Sequence, residues 1–154
     1  MYRMAMLTFL LQEEDGLDRI RCMEMALVHD LAESIVGDIT PHCGVSKEEK
    51  HRLEKEAMDK IQILTGTSGQ RLHSLFMEYE DQVTDESHFV KELDLFDMTM
   101  QAFEYEKRDE TPGSLQEFID ATKGKFKHPL LVSLVQRLYS ERDGLLKGVP
   151  LCPG

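Results

Sequence analysis

His29-Asp30, with Glu33 three residues on and Asp38 directly after Gly37, puts one imidazole and three carboxylates into a short stretch of chain. Imidazole nitrogen plus carboxylate oxygen is the donor set of a first-row divalent ion such as Mn, Co, Fe or Zn. Such an ion acidifies a bound water and polarises a phosphoryl oxygen. His29 and Asp30 are therefore candidate metal ligands. Glu33 is not needed as a ligand and can act as general base or acid. A His-Asp pair alone is a weak signal, because a histidine is ordinarily a core or surface residue with everyday hydrogen bonds. The setting strengthens it. Leu27, Val28, Leu31 and Ala32 surround the pair with apolar side chains, and charge buried in such surroundings is costly unless it is paired or metal-bound. Asp94 is in the same position, among Phe89, Val90, Leu93, Leu95 and Phe96, and is a third candidate ligand; Asp97 reads as its solvated counterpart.

The elements that must hold these residues read as helices. Ile20, Met23, Leu27, Leu31 and Ile35 recur at helical spacing and predict one helix over 17–36. At about 100° per residue, His29, Asp30 and Glu33 fall within one arc of about 100° on it. Gly37 is a plausible stop, and Asp38 to Gly44 is a loop marked by Pro41 and Gly44. Ser46-Lys47-Glu48-Glu49 is a capping box opening a helix to about Leu64, with Gly66 and Gly69 at its end. Further helices are predicted over 2–12, about 70–80, 84–106, 114–122 and 129–147, with Pro129 suited to the first turn of the last. No stretch alternates like a strand. The economical reading is a single all-α helical bundle of about six or seven helices over residues 1–147, followed by a flexible tail at 148–154.

Charge and composition narrow the partners. Lys plus Arg number 18 against 29 Asp plus Glu, a formal charge of −11, so a nucleic acid duplex or an anionic membrane meets a repulsive field. A small phosphorylated substrate stays open, because a metal dominates its own surroundings. Cys22, Cys43 and Cys152 show no disulfide framework and no zinc spacing, which suits a reducing compartment. The apolar start, residues 1–11, is too short to cross a membrane and is followed by acidic residues rather than a cleavage site. It reads as a truncated core helix, and the cytoplasm is the default location. His51, His73 and His88 read as surface residues, His128 as a turn residue, and Lys47 to Lys50 as part of a solvated face. Lys91, three residues before Asp94, shares its helix face and is placed to meet a phosphate.

The run His29-Asp30-Leu31-Ala32-Glu33, with Asp94 downstream, resembles the HD-domain metal-dependent phosphohydrolases. The longer run from His29 to Asp38-Ile39-Thr40-Pro41 is more specific. With Phe89 to Asp94, Gln101 to Glu106 and Gly124 to Pro129, it resembles the 5′-deoxynucleotidase branch, especially the eukaryotic HD domain-containing protein 2 group. The resemblance implies an all-helical HD fold, a divalent metal ion (Mn, Co, Mg, Fe or Zn) held by His29, Asp30 and Asp94, and a homodimer. It implies hydrolysis of deoxynucleoside 5′-monophosphates, with Glu33 activating or positioning the attacking water and Asp38 lining the substrate site and assisting catalysis. In that family the first metal-binding histidine directly precedes a segment like Met1-Tyr2-Arg3-Met4-Ala5. It would thus fall before residue 1, with the upstream helix. The expected consequences are weaker metal binding, His42 as a conceivable substitute, and apolar surface exposed at Leu7, Leu10 and Leu11. The alternative is a catalytically impaired isoform or fragment acting as a helical dimerisation module. A phosphohydrolase acting on cyclic nucleotides or triphosphates fits these motifs less well.

Overall fold

A computed structural model of the chain describes residues 1–40 and 43–147. Pro41, His42 and the stretch 148–154, with Cys152 and the expected tail, lie outside the described residues. Among the described residues there is no strand, so the all-α expectation holds. The chain forms two compact units, Met1–Val90 and a second beginning at Lys91.

The first unit contains α1 (Tyr2–Leu7), α2 (Arg19–Val28), α3 (Glu33–Val36), α4 (Lys47–Thr65), α5 (Thr67–Asp81) and the start of α6 (Asp85–Arg108). Helix α2 packs on α1 and α5, and α4 packs on α3 and α5. Their shared interior holds Met4, Leu11, Cys22, Met25, Ala26, Ala57, Met58, Leu75, Phe76 and Tyr79. Several of these are thin or flexible side chains, which fits a core built without tryptophan.

The expected first helix is shorter than its apolar run. It tightens to a 3-10 turn at Thr8–Leu10, and the chain then extends at Leu11 with φ −62° and ψ 137°. That extension turns Leu11 inward, where it is 1% exposed; the expectation of an exposed Leu11 is overturned, while Leu10 does remain exposed. The predicted helix over 17–36 is two helices, α2 and α3, separated by turns at His29 to Ala32. Ser46 caps α4 as expected, accepting from the Glu49 amide at 3.2 Å. Glu49 does not complete the reciprocal half. Its carboxylate is held by Arg52 at 2.9 and 2.6 Å, a stronger partner than a backbone amide. Gly66 ends α4 with φ 61° and ψ −131°, and Gly69 sits inside α5. A Cβ at Gly69 would lie 2.5 Å from Gln62 Cα, so this glycine is there for close helix approach rather than as a stop.

The second unit contains the rest of α6, then α7 (Gln116–Thr122) and α8 (Pro129–Leu146). Its polar framework is buried. Arg142 Nε donates to Glu106 Oε2 at 2.7 Å and Nη2 to Oε1 at 2.9 Å, with both side chains almost wholly buried. Glu106 Oε1 also accepts from the Leu115 amide at 2.8 Å, and Arg142 Nη1 donates to Gln116 Oε1 at 2.8 Å. Burial pushes the Glu106 carboxyl up, but the Arg142 guanidinium and the Leu115 and Gly113 amides outweigh it and hold it below its ordinary value. The hydroxyls of Thr99 and Thr122 meet at 2.9 Å, tying α6 to α7. Glu92 accepts from the amides of Lys127 and His128 at 2.7 and 3.0 Å, and so fixes the start of α8, where Pro129 occupies the first turn.

Candidate active site

Cys22, Met25, Ala26 and His29 fall at i, i+3, i+4 and i+7 along α2 and its C-cap, and all four are buried. The histidine thus continues the core-facing stripe of its helix. Its amide closes the helix on Met25 O at 2.9 Å. Beyond it the hydrogen bonds tighten: Leu31 N to Val28 O at 2.8 Å, Glu33 N to Asp30 O at 3.0 Å and Ser34 N to Leu31 O at 3.2 Å. In such i to i+3 turns the side chains at i and i+3 eclipse. Asp30 and Glu33 are one such pair.

The imidazole of His29 is fixed from three sides. Nδ1 lies 3.0 Å from Ala26 O. A carbonyl only accepts, so Nδ1 carries a proton and donates. Nε2 lies 3.0 Å from Asp30 Oδ2. The ring meets the buried Tyr79 of α5 edge-on, with centroids 5.1 Å apart and an interplanar angle of 63°. With Nδ1 committed to a carbonyl, a neutral ring turns the Nε2 lone pair toward a carboxylate oxygen. Two acceptors at that separation need a cation between or beside them, either a proton on Nε2 or a metal ion. A Nδ1–H to carbonyl bond is the support a metal-binding histidine ordinarily has. The pair therefore fits a first-row divalent ion in donor type and in tautomer. Among the described residues no group of three or more His, Cys, Asp or Glu side chains gathers as a metal cluster.

Glu33 opens α3 and is half-buried. Burial and then the negative charges of Asp30 and Asp38 push its carboxyl up to about 7, with Lys50 pulling the other way and Glu54 adding to the rise. A carboxyl in that range exchanges protons near neutral pH, as a general base or acid must. Gly37 ends α3 at φ 76° and donates to Glu33 O at 2.8 Å, a backbone conformation that suits glycine. The chain then leaves the helix and presents Asp38 to solvent. The structure thus brings His29, Asp30, Glu33 and Asp38 into one unit. Asp94 belongs to the second unit. It is half-buried on α6, and its Oδ2 accepts from Lys91 Nζ at 3.1 Å.

Three residues that the sequence reading passed over stand beside the group. Tyr79 packs on the His29 ring. Glu54 is a buried carboxylate on the same face of α4 as Ala57 and Met58, and burial pushes its carboxyl up. Lys50, one turn before it, places Nζ 3.5 Å from Glu54 Oε1 and 3.2 Å from Ile39 O. A glutamate at i with alanine and methionine at i+3 and i+4 was the available signal, since a charge sharing an apolar stripe needs a reason to be there. Of the three histidines read as surface residues, His51 and His88 are exposed and His73 is half-buried; His51 pairs with Glu80 at 3.3 Å and His73 with Asp59 at 3.0 Å.

Comparison with known proteins shows the family of the chain. A profile described as "HD domain" matches residues 1–131. The chain is 49% identical over 147 residues to "5'-deoxynucleotidase HDDC2" of Xenopus laevis, covering 95% of this chain and 73% of that protein. It is 50% identical over 144 residues to "5'-deoxynucleotidase HDDC2" of Homo sapiens, covering 93% of this chain and 70% of that protein. Among solved structures it is similar to "HD domain-containing protein YGK1", with a TM-score of 0.65 and 29% identity over 93% of this chain and 75% of that one. The chain belongs to the HD-domain family.

Proposed function

We propose that this chain is a metal-dependent 5′-deoxynucleotidase that hydrolyses deoxyribonucleoside 5′-monophosphates to deoxynucleoside and inorganic phosphate. The observation that carries this reading is identity at about half of all positions, over more than nine-tenths of the chain, to proteins named 5'-deoxynucleotidase. The site chemistry is consistent with it: an oriented imidazole beside a carboxylate, and a second carboxyl whose protonation changes near pH 7.

His29 and Asp30 would hold the ion, and Asp94 is proposed as a further ligand on the resemblance of the His29-Asp30 and Phe89 to Asp94 motifs to HD-domain phosphohydrolases. When bound, a divalent cation supplies charge neutralisation at the phosphoryl oxygens and makes the attacking water more acidic. Mn or Co is the first choice to test. The protein groups handle the rest. Glu33 accepts the proton that the water loses as its oxygen attacks phosphorus. The bond from phosphorus to the 5′ oxygen breaks, and that oxygen takes up the proton held by Glu33 to leave as a hydroxyl, which restores the carboxylate. Asp38, exposed after Gly37, lines the substrate side and assists catalysis. The Ala26 carbonyl and the Tyr79 edge keep the His29 ring from rotating, so its donor atom needs no reorganisation during reaction.

The test is phosphate release from dAMP, dCMP, dGMP and dTMP and from the four ribonucleoside 5′-monophosphates, with Mn or Co and with chelator. Release from the deoxy series, lost on chelation, is expected. Turnover that persists in chelator, or that favours triphosphates or cyclic nucleotides, would overturn the reading.

A further inference from the structure

The segment 37–40 that carries Asp38 belongs to no helix, so its position depends on what its backbone touches. Ile39, the residue after Asp38, has its carbonyl 3.2 Å from Lys50 Nζ. Lys50 is in turn anchored by Glu54 Oε1 at 3.5 Å, and Glu54 is buried in the body of α4. A chain of contacts thus runs from the helix interior through Glu54 and Lys50 to the backbone beside Asp38. The same ammonium is the positive charge acting on Glu33, against Asp30, Asp38 and Glu54. A phosphomonoester dianion approaching this group meets several carboxylates, and one cation among them lowers the local negative potential.

We propose that Lys50 is a positioning residue for the hydrolytic reaction, tethering the segment that carries Asp38 to α4 and offsetting the negative field that the substrate phosphate must enter. This rests on the phosphomonoesterase reading. The Lys50 side chain is 38% exposed and that of Glu54 only 8%, so the pair offsets the charge of a buried carboxylate, and the further contact of Lys50 with the Ile39 carbonyl carries that anchorage to the residue beside Asp38.

The test compares the native chain with Lys50→Met, which keeps the stem and loses the charge and donor, and Lys50→Arg, which keeps both. Lys50→Met is expected to raise KM for a deoxynucleoside monophosphate about fivefold or more while kcat changes by less than about twofold. Lys50→Arg is expected to recover most of the loss. Amide exchange at residues 39 and 40 is followed in the same proteins after chelation, and Lys50→Met is expected to quicken it. Unchanged KM, or Lys50→Arg as impaired as Lys50→Met, overturns the substrate role. Unchanged exchange overturns the tether. The exchange readout does not require turnover, so a native chain without monophosphatase activity would sink the functional reading while the tether is still judged on its own. Should Lys50→Met fail to fold, Lys50→Gln, a neutral donor, is judged by the same two readouts.

Discussion

Glu33 is the residue proposed to handle the proton of the attacking water. Its carboxyl is pushed up to about 7 from an ordinary 4.5, first by burial and then by Asp30 and Asp38. Raised affinity for protons in the folded state means that the folded protein binds more protons than the unfolded chain between those two values. Stability therefore falls as pH rises through that window. In chelator-treated protein, thermal melts of the native chain are expected to lose stability between about pH 4.5 and 7, and Glu33→Gln is expected to flatten that loss. The variant should melt above the native chain at pH 8, with the difference closing by pH 5. Equal melting of the two proteins at pH 8 would mean that the carboxyl is not strained by its neighbours. The burial of His29 was legible from its apolar neighbours, but the stripe from Ile20 to Ile35 is not the core face: Ile20, Leu27 and Ile35 are exposed, and Glu33 opens a separate helix. Lys50 was not legible, because Lys47-Glu48-Glu49-Lys50 has the pattern of a solvated face, and no local signal says that the Ile39 carbonyl lies opposite one of its charges.

At the scale of elements, the boundaries that the sequence misplaced are those where hydrophobic spacing has no power to discriminate. Over a single turn, i to i+3 and i to i+4 hydrogen bonding support the same apolar pattern, so the stripe from Ile20 to Ile35 continues across a real break at His29 to Ala32. Helix ends marked by a residue's own chemistry were read better: Ser46 caps α4, although Glu49 turns to Arg52, Pro129 opens α8 and Gly37 ends α3. Gly69 shows the limit of reading glycine as punctuation, since it serves the approach of α5 to α4. In the second unit the buried Arg142 to Glu106 pair joins α8 to α6 and to the turn before α7. Removing one member leaves the other charge buried without its partner. Arg142→Met is expected to lower unfolding stability by about 3–5 kcal/mol, read by urea titration. Adding Glu106→Gln is expected to return a substantial part of it. A loss below about 1 kcal/mol in the single variant would show that the pair is not the lock of that unit.

On the scale of the whole molecule, an HD-domain match over residues 1–131 and a helical structure similar to a solved HD-domain protein define the frame. The all-helical class was legible because the strand pattern is missing and helical spacing recurs through the chain. With a formal charge of −11, the average field of the chain repels an anionic substrate, and a divalent ion at the proposed site would offset that repulsion locally. In the proposed function the His29 and Asp30 pair would hold a divalent ion that turnover needs. The most direct measurement is phosphate release from dAMP across a Mn titration, for the native chain and Asp30→Asn, with circular dichroism to show that both are folded. Saturable activation of the native chain is expected, with a loss of about a hundredfold or more in the variant at any Mn concentration. Native-like release by folded Asp30→Asn, with an unchanged Mn dependence, would contradict it.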